Sequence, residues 1–201
     1  MIKLILASNN KNKLREFREL TADMDVEIVS QHEAGCDFEV DETGTTFEEN
    51  AYLKAIAVTR ATGCAAVADD SGLEVDALNG EPGVYSARYG PGHEASDADR
   101  YNYLLAKLGD EKNRSGRFVC CICCTMPDGT RITASGKCDG DILYAPRGEN
   151  GFGYDPVFRP AGQEASMAEL SHDEKNAISH RGKALREFIK RFEEYVNGDN
   201  K

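Results

Sequence analysis

Two acidic segments hold the side chains best suited to chemistry. Asp41 and Glu42 precede a helix that opens with a capping box. The pair Asp69-Asp70 follows the apolar run 65–68, which is predicted to be a strand. Carboxylates at the carboxyl end of a strand lie where open α/β sheets bind ligands, and Mg²⁺ is commonly held by one or two carboxylates plus substrate phosphates. The pattern predicts a magnesium site with a second carboxylate that accepts a proton from water; an ordinary polar turn is the alternative.

A polar segment near the N-terminus is predicted to bind an anion. The segment 8–13 joins a buried strand at residues 2–7 to a helix. Free N–H groups at a helix start, with the helix dipole behind them, favour a bound anion. Lys13 lies one turn into the helix, and Asn10 could donate to a phosphate oxygen. The segment lacks the glycines of a P-loop, and polar residues at a helix start are often only caps.

Two segments late in the chain combine glycine, aromatic and cationic residues. In 147–156, glycines let the backbone approach a ligand, Phe152 and Tyr154 offer faces on which a base could stack, and Asp155 could accept from a ring N–H. The alternative is a hairpin loop with one aromatic in the core. The segment 175–183 places cations around a predicted helix start, where the helix dipole disfavours them. An anionic or carbonyl-bearing ligand would explain these cations, and so would a solvated helix face.

The elements that position these segments alternate between strand and helix early in the chain. Strands are predicted at 2–7, 26–29, 65–68, 116–126 and 130–143, the last two joined by a hairpin turn. Helices are predicted around Leu14 and Phe17, at 46–62, from Asp97 to Gly109 and at 179–196. This order predicts an α/β fold with a mixed sheet. We expect one domain over residues 1–196, divided into two lobes, with a frayed tail at 197–201.

Composition restricts the possible partners. The chain has 201 residues, of which 40% are hydrophobic, and a net charge of −11. Such a surface repels nucleic acid, and no basic stripe is present, so we expect no nucleic-acid partner. No apolar stretch approaches the roughly 20 residues that span a bilayer, and the N-terminus does not resemble a signal peptide. We therefore expect a cytoplasmic protein without a membrane contact. A small anionic substrate would need local cations or a divalent metal.

Seven cysteines include four within residues 120–124. They form C-x-x-C pairs, but no second pair with zinc spacing follows. Neighbouring strand residues point to opposite faces, so the four thiols would not easily converge. The pattern favours small apolar fillers in a strand buried on both faces, and the odd count argues against a disulfide framework.

Six motifs, taken in order, resemble the inosine triphosphate pyrophosphatase family. They are Ser8-x-Asn10-x-x-Lys13, Glu42-Thr43-Gly44-x-Thr46-Phe47-x-Glu49-Asn50-Ala51, Ala68-Asp69-Asp70-Ser71-Gly72-Leu73, Pro82-Gly83-Val84-Tyr85-Ser86-Ala87-Arg88-Tyr89, Gly151-Phe152-Gly153-Tyr154-Asp155-Pro156 and Ile178-Ser179-His180-Arg181. They span nearly the whole chain, and the ordered set is highly specific. The resemblance implies a two-lobed α/β fold with an elongated mixed central sheet flanked by helices, an active cleft between the lobes, and a homodimer. It also implies Mg²⁺-dependent cleavage of the inosine, deoxyinosine and xanthosine triphosphates ITP, dITP and XTP to the monophosphate and pyrophosphate, which clears deaminated purines from the nucleotide pool.

The resemblance assigns roles by position. The triphosphate would contact Ser8, Asn9, Asn10, Lys11, Asn12, Lys13 and Ser71. Mg²⁺ would be bound by Glu42, Asp41 and Asp70, while Asp70 would accept a proton with Asp69 in support. The base pocket would consist of Phe152, Gly153, Tyr154, Asp155, Lys175, Ser179, His180 and Arg181.

Two other functions are the alternatives to this one. A pyrophosphatase for other modified nucleotides, such as methylated pyrimidine triphosphates, is disfavoured by the His180-Arg181 motif. A non-catalytic nucleotide sensor is disfavoured by Glu42, Asp69 and Asp70, because a sensor needs no proton acceptor.

Overall fold

The computed structural model describes residues 2–22, 24–90, 92 and 95–198, and only the backbone of Asn12 and Leu20. The strands in these residues are β1 Ile2–Leu6, β2 Val26–Ser30, β3 Ala65–Val75, β4 Ser115–Thr125, β5 Arg131–Ile142 and β6 Phe158–Pro160. The α-helices are α1 Lys11–Leu20, α2 Phe47–Thr62, α3 Asp97–Leu108, α4 His172–Ile178 and α5 His180–Gly198. Short 3₁₀ helices occupy Asp76–Leu78, Gly83–Arg88 and Asp155–Val157. None of the helices in these ranges is long and apolar enough to cross a membrane.

The strands form one mixed sheet in the order β2-β1-β3-β4-β5-β6. β1 is parallel to β2 and β3, whereas β6 is antiparallel to β5. This confirms the predicted α/β class with a mixed sheet. The chain divides into two compact units, so that β3, β4 and β5 have residues in both. The first unit comprises Met1–Asp70, Cys120–Gly136 and Lys183–Lys201, and the second comprises Ser71–Val119 and Lys137–Gly182. The predicted organisation as a single domain with a cleft between lobes stays a prediction.

The first unit packs helices on both faces of β1, because successive strand residues point in opposite directions. Leu4 and Leu6 belong to one cluster, which also holds Phe17 of α1 and Phe188 of α5. Ile5 belongs to another cluster, which contains Ala55 and Val58 of α2. The α2 helix is thereby packed on the sheet residues of this unit, where its polar face can meet the acidic residues of β3.

The second unit has one apolar cluster. Leu73 and Val75 of β3 pack with Leu104 of α3 and with Phe118 of β4. Phe158 of β6 joins the same cluster and meets Phe118 edge-on, with ring centroids 4.6 Å apart. This core therefore anchors both α3 and the residues that follow the glycine-rich segment.

The ends of α2 follow the predicted capping signals. The Thr46 hydroxyl accepts from the Glu49 N–H at 3.1 Å, and the Glu49 carboxylate accepts from the Thr46 N–H at 3.1 Å. Gly63 ends the helix in the left-handed conformation, with a φ of 67°, which glycine adopts without a Cβ penalty. The predicted helix and both of its caps are confirmed.

Two predicted elements differ in the structure. Asp97 does not cap α3; Ser96 does, because its hydroxyl and the Asp99 carboxylate form a reciprocal capping box. The strand that carries Asp69-Asp70 does not end there, and the two aspartates lie within β3, which continues to Val75. The extension is stable because the later residues of β3 are buried in the core of the second unit. The prediction of aspartates at a strand end was therefore wrong.

The C-terminal region also contains more helix than predicted. The α4 helix opens with a capping box formed by Ser171 and Glu174, a spacing that is visible in the sequence. The last helix, α5, begins at His180 and continues to Gly198, beyond the predicted end at residue 196. Of the predicted tail, residues 199–201 lie outside the described part of the chain.

The seven cysteines all lie in the described part of the chain and form no disulfide bond there, and Cys120, Cys123 and Cys124 are buried in β4. Burial raises the pKa of the Cys123 thiol, and it raises that of Cys124 much further, so both thiols stay protonated. Ile122 of the same strand lies in the core of the first unit together with Cys120 and Cys124. Their burial confirms the predicted role of these cysteines as small apolar fillers.

Candidate functional site

Lys54 of α2 lies between two of the predicted carboxylates. Its Nζ donates to Glu42 Oε1 at 2.8 Å and to Asp70 Oδ1 at 3.2 Å. One helical turn earlier, Asn50 Nδ2 donates to Asp70 Oδ2 at 3.1 Å. Residues four apart share a helix face, so α2 holds both oxygens of Asp70. The structure thus brings Glu42 and Asp70 to the same ammonium group.

Burial and the neighbouring charges perturb two groups of this cluster. Burial raises the pKa of the Asp70 carboxyl; the charge of Lys54 opposes this rise and that of Glu42 adds to it. Burial alone would lower the pKa of the Lys54 ammonium, but Asp70, Asp69 and Glu42 together raise it. Asp70 therefore accepts a proton more readily than an exposed aspartate, and Lys54 stays charged.

A second lysine and carboxylate pair lies at the start of α1. Lys13 Nζ is 2.8 Å from Asp69 Oδ1, and the Asp69 side chain is fully buried. The backbone leading to Lys13 is ordered by side chains: Ser8 Oγ accepts from the Asn10 N–H at 3.2 Å, and Asn10 Oδ1 accepts from the Lys13 N–H at 3.2 Å. Asn10 therefore caps α1, which is the alternative that the sequence left open, and Lys13 extends to β3.

The other predicted residues of the first two segments are Asn9, Lys11, Asn12, Asp41 and Ser71. Asn9 and Lys11 are exposed, and the side chain of Asn12 lies outside the described part of the chain. Asp41 is also exposed; among the described residues no contact joins its carboxylate to the Lys54 cluster. Ser71 follows Asp70 directly on β3 and is half-buried.

In the second unit, Asp155 organises the glycine-rich segment. Its carboxylate is buried, and Oδ2 accepts from the Phe152 N–H at 2.8 Å and from Lys175 Nζ at 2.6 Å. Gly151 has a φ of 82°, and a Cβ at this position would collide with the same carboxylate oxygen. Asp155 thus connects Lys175 to the loop, and its predicted hydrogen bond to a purine stays a prediction.

The two aromatic residues of this segment have different environments. Phe152 is 44% exposed, and its ring centroid lies 4.6 Å from Lys175 Nζ and 5.5 Å from Arg181 Cζ. Tyr154 is buried, and its hydroxyl donates to the Ser86 carbonyl at 2.9 Å. Tyr154 is therefore the aromatic residue in the core that the alternative prediction, a hairpin loop, describes. Of the two, Phe152 is the exposed residue, and two cations lie over its ring.

The junction between α4 and α5 holds the remaining predicted residues. Ser179 ends α4, and its hydroxyl accepts from the Gly182 N–H at 3.1 Å. His180 and Arg181 are buried and are the first residues of α5. The predicted position of these cations at a helix start is confirmed. The His180 ring stacks on Phe118 with centroids 4.8 Å apart and an interplanar angle of 12°. Of Ser179, His180 and Arg181, it is Arg181 whose side chain lies over the Phe152 ring.

Asn50 and Lys54 were not among the site residues predicted from the sequence. A signal for them was available, because the capping box at Thr46 sets the phase of α2 and the two residues are four apart. Their contact with Asp70 on β3 could not be predicted in the same way, because β3 was predicted to end before the two aspartates.

The side chains around Lys54 fit Mg²⁺. Glu42 and Asp70 supply two carboxylates that converge on one positive charge, and carboxylate oxygens are the ligands that Mg²⁺ prefers. Within the described ranges, no three side chains of His, Cys, Asp or Glu converge to hold a metal by themselves. Magnesium needs fewer protein ligands than that, because it usually keeps water and substrate phosphates as ligands.

Fold and side chains together define the class of the protein. An α/β fold that carries two lysines, beside carboxylates able to hold Mg²⁺, has the side chains that an enzyme acting on phosphate groups needs. Residues 4–191 match the Ham1 family, and the chain belongs to this family.

Proteins similar to this chain carry consistent names. The chain is 50% identical over 184 residues to a dITP/XTP pyrophosphatase of Desulfotalea psychrophila, which covers 92% of this chain and 82% of that protein. It is 46% identical over 203 residues to a dITP/XTP pyrophosphatase of Bacillus anthracis, covering 99% and 100% of the two chains. The fold is similar to the Ham1 protein of Staphylococcus aureus, with a TM-score of 0.87 and 43% identity over 98% of this chain and 99% of that one.

Proposed function

We propose that this chain hydrolyses deaminated purine nucleoside triphosphates (ITP, dITP and XTP) to the monophosphate and pyrophosphate. The observation that carries the proposal is the buried Asp70 carboxylate, held at one oxygen by Asn50 and at the other by Lys54. The substrate class is supported by the relatives named dITP/XTP pyrophosphatase, which are 46% and 50% identical to this chain.

Two lysines of the first unit would bind the triphosphate. The substrate is strongly anionic and the chain has a net charge of −11, so binding requires local cations. Lys13 and Lys54 are ammonium groups that buried carboxylates already hold in position. Because they need not reorganise during the reaction, they would stabilise the charge that spreads over the phosphate oxygens in the transition state.

Asp70 would accept the proton of the attacking water while the water oxygen adds to the α-phosphorus and pyrophosphate leaves. Burial raises the pKa of this carboxyl, which makes it a stronger base than an exposed aspartate. Asn50 and Lys54 fix its orientation, and the charge of Lys54 favours the ionised form that the role requires.

Mg²⁺ is the cofactor of this proposal, and Glu42 and Asp70 would hold it together with substrate phosphates. When bound, the ion would supply positive charge that neutralises the phosphate oxygens. Asp69 would support the site by keeping Lys13 in place.

The second unit would recognise the base. Phe152 would stack on the base with its exposed ring, and Lys175 and Arg181 lie over the same ring. A donor such as Arg181 or His180 is satisfied by the 6-carbonyl of hypoxanthine or xanthine, whereas the 6-amino group of adenine leaves it unpaired. An unpaired buried donor costs roughly 1–3 kcal/mol, and a site built around such bonds discriminates more strongly.

Pyrophosphate release from ITP, dITP, XTP, GTP and ATP, with and without Mg²⁺, tests the proposal. We expect higher kcat/KM for ITP than for ATP and activity only with Mg²⁺. Asp70→Asn should lose nearly all turnover while titration calorimetry still detects ITP binding, and the exposed Asp110→Asn serves as the matched control. Near-normal kcat in Asp70→Asn would reject the role of Asp70, and equal kcat/KM for ITP and ATP would reject the base recognition. Binding of ITP by the unmodified chain without release of pyrophosphate would favour the sensor.

We also propose that the protein is a cytoplasmic homodimer without a nucleic-acid partner. The family resemblance supports the dimer, and the charge of −11 opposes binding to nucleic acid. Sedimentation equilibrium at several protein concentrations measures the oligomeric state, and a monomer at all of them would reject the dimer.

A further inference from the structure

One carboxylate connects the start of α3 to the glycine-rich segment. Asp97, the first residue of α3, accepts from the Gly153 N–H at 2.6 Å with Oδ2 and from Arg100 Nη1 at 2.8 Å with Oδ1. The helix does not require Asp97 as a cap, because Ser96 and Asp99 already form the capping box. The hydrogen bond to Gly153, 56 positions away along the chain, is therefore a tertiary contact of the loop.

The N–H groups on either side of Phe152 are both held by carboxylates. The N–H of Phe152 itself donates to Asp155 at 2.8 Å, and the next N–H along the chain donates to Asp97. Gly153 lies in the left-handed region, with a φ of 62°, a conformation that tight turns assign to glycine. Because the backbone is restrained on both sides, the direction of the Cα–Cβ bond that carries the exposed Phe152 ring is set before a ligand binds, which lowers the entropic cost of stacking.

We propose that Asp97 is a positioning residue for base recognition, acting by holding the Gly153 N–H and thereby the Phe152 ring. This inference rests on the proposed function, in which Phe152 stacks on the purine. Asp97 itself touches no reacting group in this account. Its loss would weaken binding of ligands that contain the base and would leave ligands without a base unaffected.

The test compares a ligand with the base and one without it. In Asp97→Ala we expect the KM for ITP to rise about tenfold, the size of one charge-assisted hydrogen bond, with a smaller change in kcat. Binding of inosine monophosphate, measured by calorimetry, should weaken by a similar factor, while binding of inorganic pyrophosphate should stay unchanged. Asp97→Asn retains one acceptor oxygen and should fall between Asp97→Ala and the unmodified chain.

Asp99→Ala is the matched control, because it removes the carboxylate half of the capping box from the same helix without touching the Gly153 N–H. It should lower the thermal stability and leave the KM for ITP near its original value. An unchanged KM in Asp97→Ala, or an equal rise in Asp99→Ala, would overturn the inference, and so would an equal weakening of pyrophosphate binding. Failure of the unmodified chain to release pyrophosphate from ITP would instead reject the proposed function.

Discussion

Replacing Lys54 by methionine tests the buried charges of the first unit. Methionine keeps an unbranched apolar chain and removes the ammonium group that contacts Glu42 at 2.8 Å and Asp70 at 3.2 Å. All three side chains are largely buried, with exposed fractions of 15% for Lys54, 27% for Glu42 and 12% for Asp70. The variant would therefore leave two carboxylates close together with little solvent and no cation between them.

The size of the effect follows from distance and burial. At an effective dielectric constant of about 20, unit charges separated by about 4 Å attract each other by roughly 4 kcal/mol. Removing one partner of a buried ion pair destabilises a protein by about 3–5 kcal/mol. Because Glu42 retains some contact with water, we expect the lower end of that range, about 3 kcal/mol at neutral pH. In a chain of this length such a loss lowers the Tm by roughly 6–12 °C.

The loss of stability in Lys54→Met should become smaller as the pH falls. The pKa of Asp70 is raised in the folded state, so its contribution to stability is fully present below the unfolded pKa and is lost as the pH rises through the folded pKa. In Lys54→Met the pKa of Asp70 rises further, because the opposing charge of Lys54 is gone. Acidification then protonates Asp70, removes the uncompensated charge and reduces the difference between the variant and the unmodified chain.

Urea unfolding at a series of pH values measures this difference. Lys107→Met is the matched control, because that ammonium group pairs with Glu81 at the surface, where water screens the interaction. A loss in Lys54→Met no larger than in Lys107→Met would refute the reasoning. A loss that grows as the pH falls would refute it as well.

Two further predictions concern glycine and cysteine. Gly151→Ala should raise the KM for ITP, because its Cβ would displace the Asp155 carboxylate that holds the loop. Gly162 has a φ of 79° and open space around it, so Gly162→Ala should show only the backbone strain, about 1–2 kcal/mol in unfolding experiments. Equal KM values in the two variants would contradict this prediction. A thiol reagent should modify the half-buried Cys121 well before Cys123 and Cys124, whose pKa values are raised by burial; mass spectrometry of the native chain gives the order, and equal rates would contradict it.

Local signals in the sequence predicted the elements that depend on local interactions. The Thr46 capping box and Gly63 define both ends of α2, because each cap is completed within a few residues of the chain. The apolar run at the N-terminus predicted a buried strand, and the helices of the first unit cover both faces of β1. The mixed sheet followed from the same reasoning, because strands and helices alternate early and a hairpin follows.

The errors arise where a tertiary contact outweighs a local signal. Asp69-Asp70-Ser71-Gly72 has the composition of a turn, yet β3 continues through it because Leu73 and Val75 are buried in the core of the second unit. Asp97 resembles a helix cap, but Ser96 takes that position and Asp97 bonds to Gly153. No pattern in a single sequence shows which distant backbone N–H a carboxylate will meet.

The cluster around Lys54 shows why roles assigned residue by residue remain incomplete. Glu42 raises the pKa of Asp70 and Lys54 lowers it, while Asp70 and Glu42 both raise the pKa of Lys54. Removing one member therefore changes the charge state that the others prefer. A loss of activity in Glu42→Gln would combine any loss of Mg²⁺ binding with a weaker base at Asp70, because the pKa of Asp70 would fall. Separating the two effects requires the dependence of the rate on Mg²⁺ and on pH in Glu42→Gln, because weaker Mg²⁺ binding changes the first and a lower pKa of Asp70 changes the second.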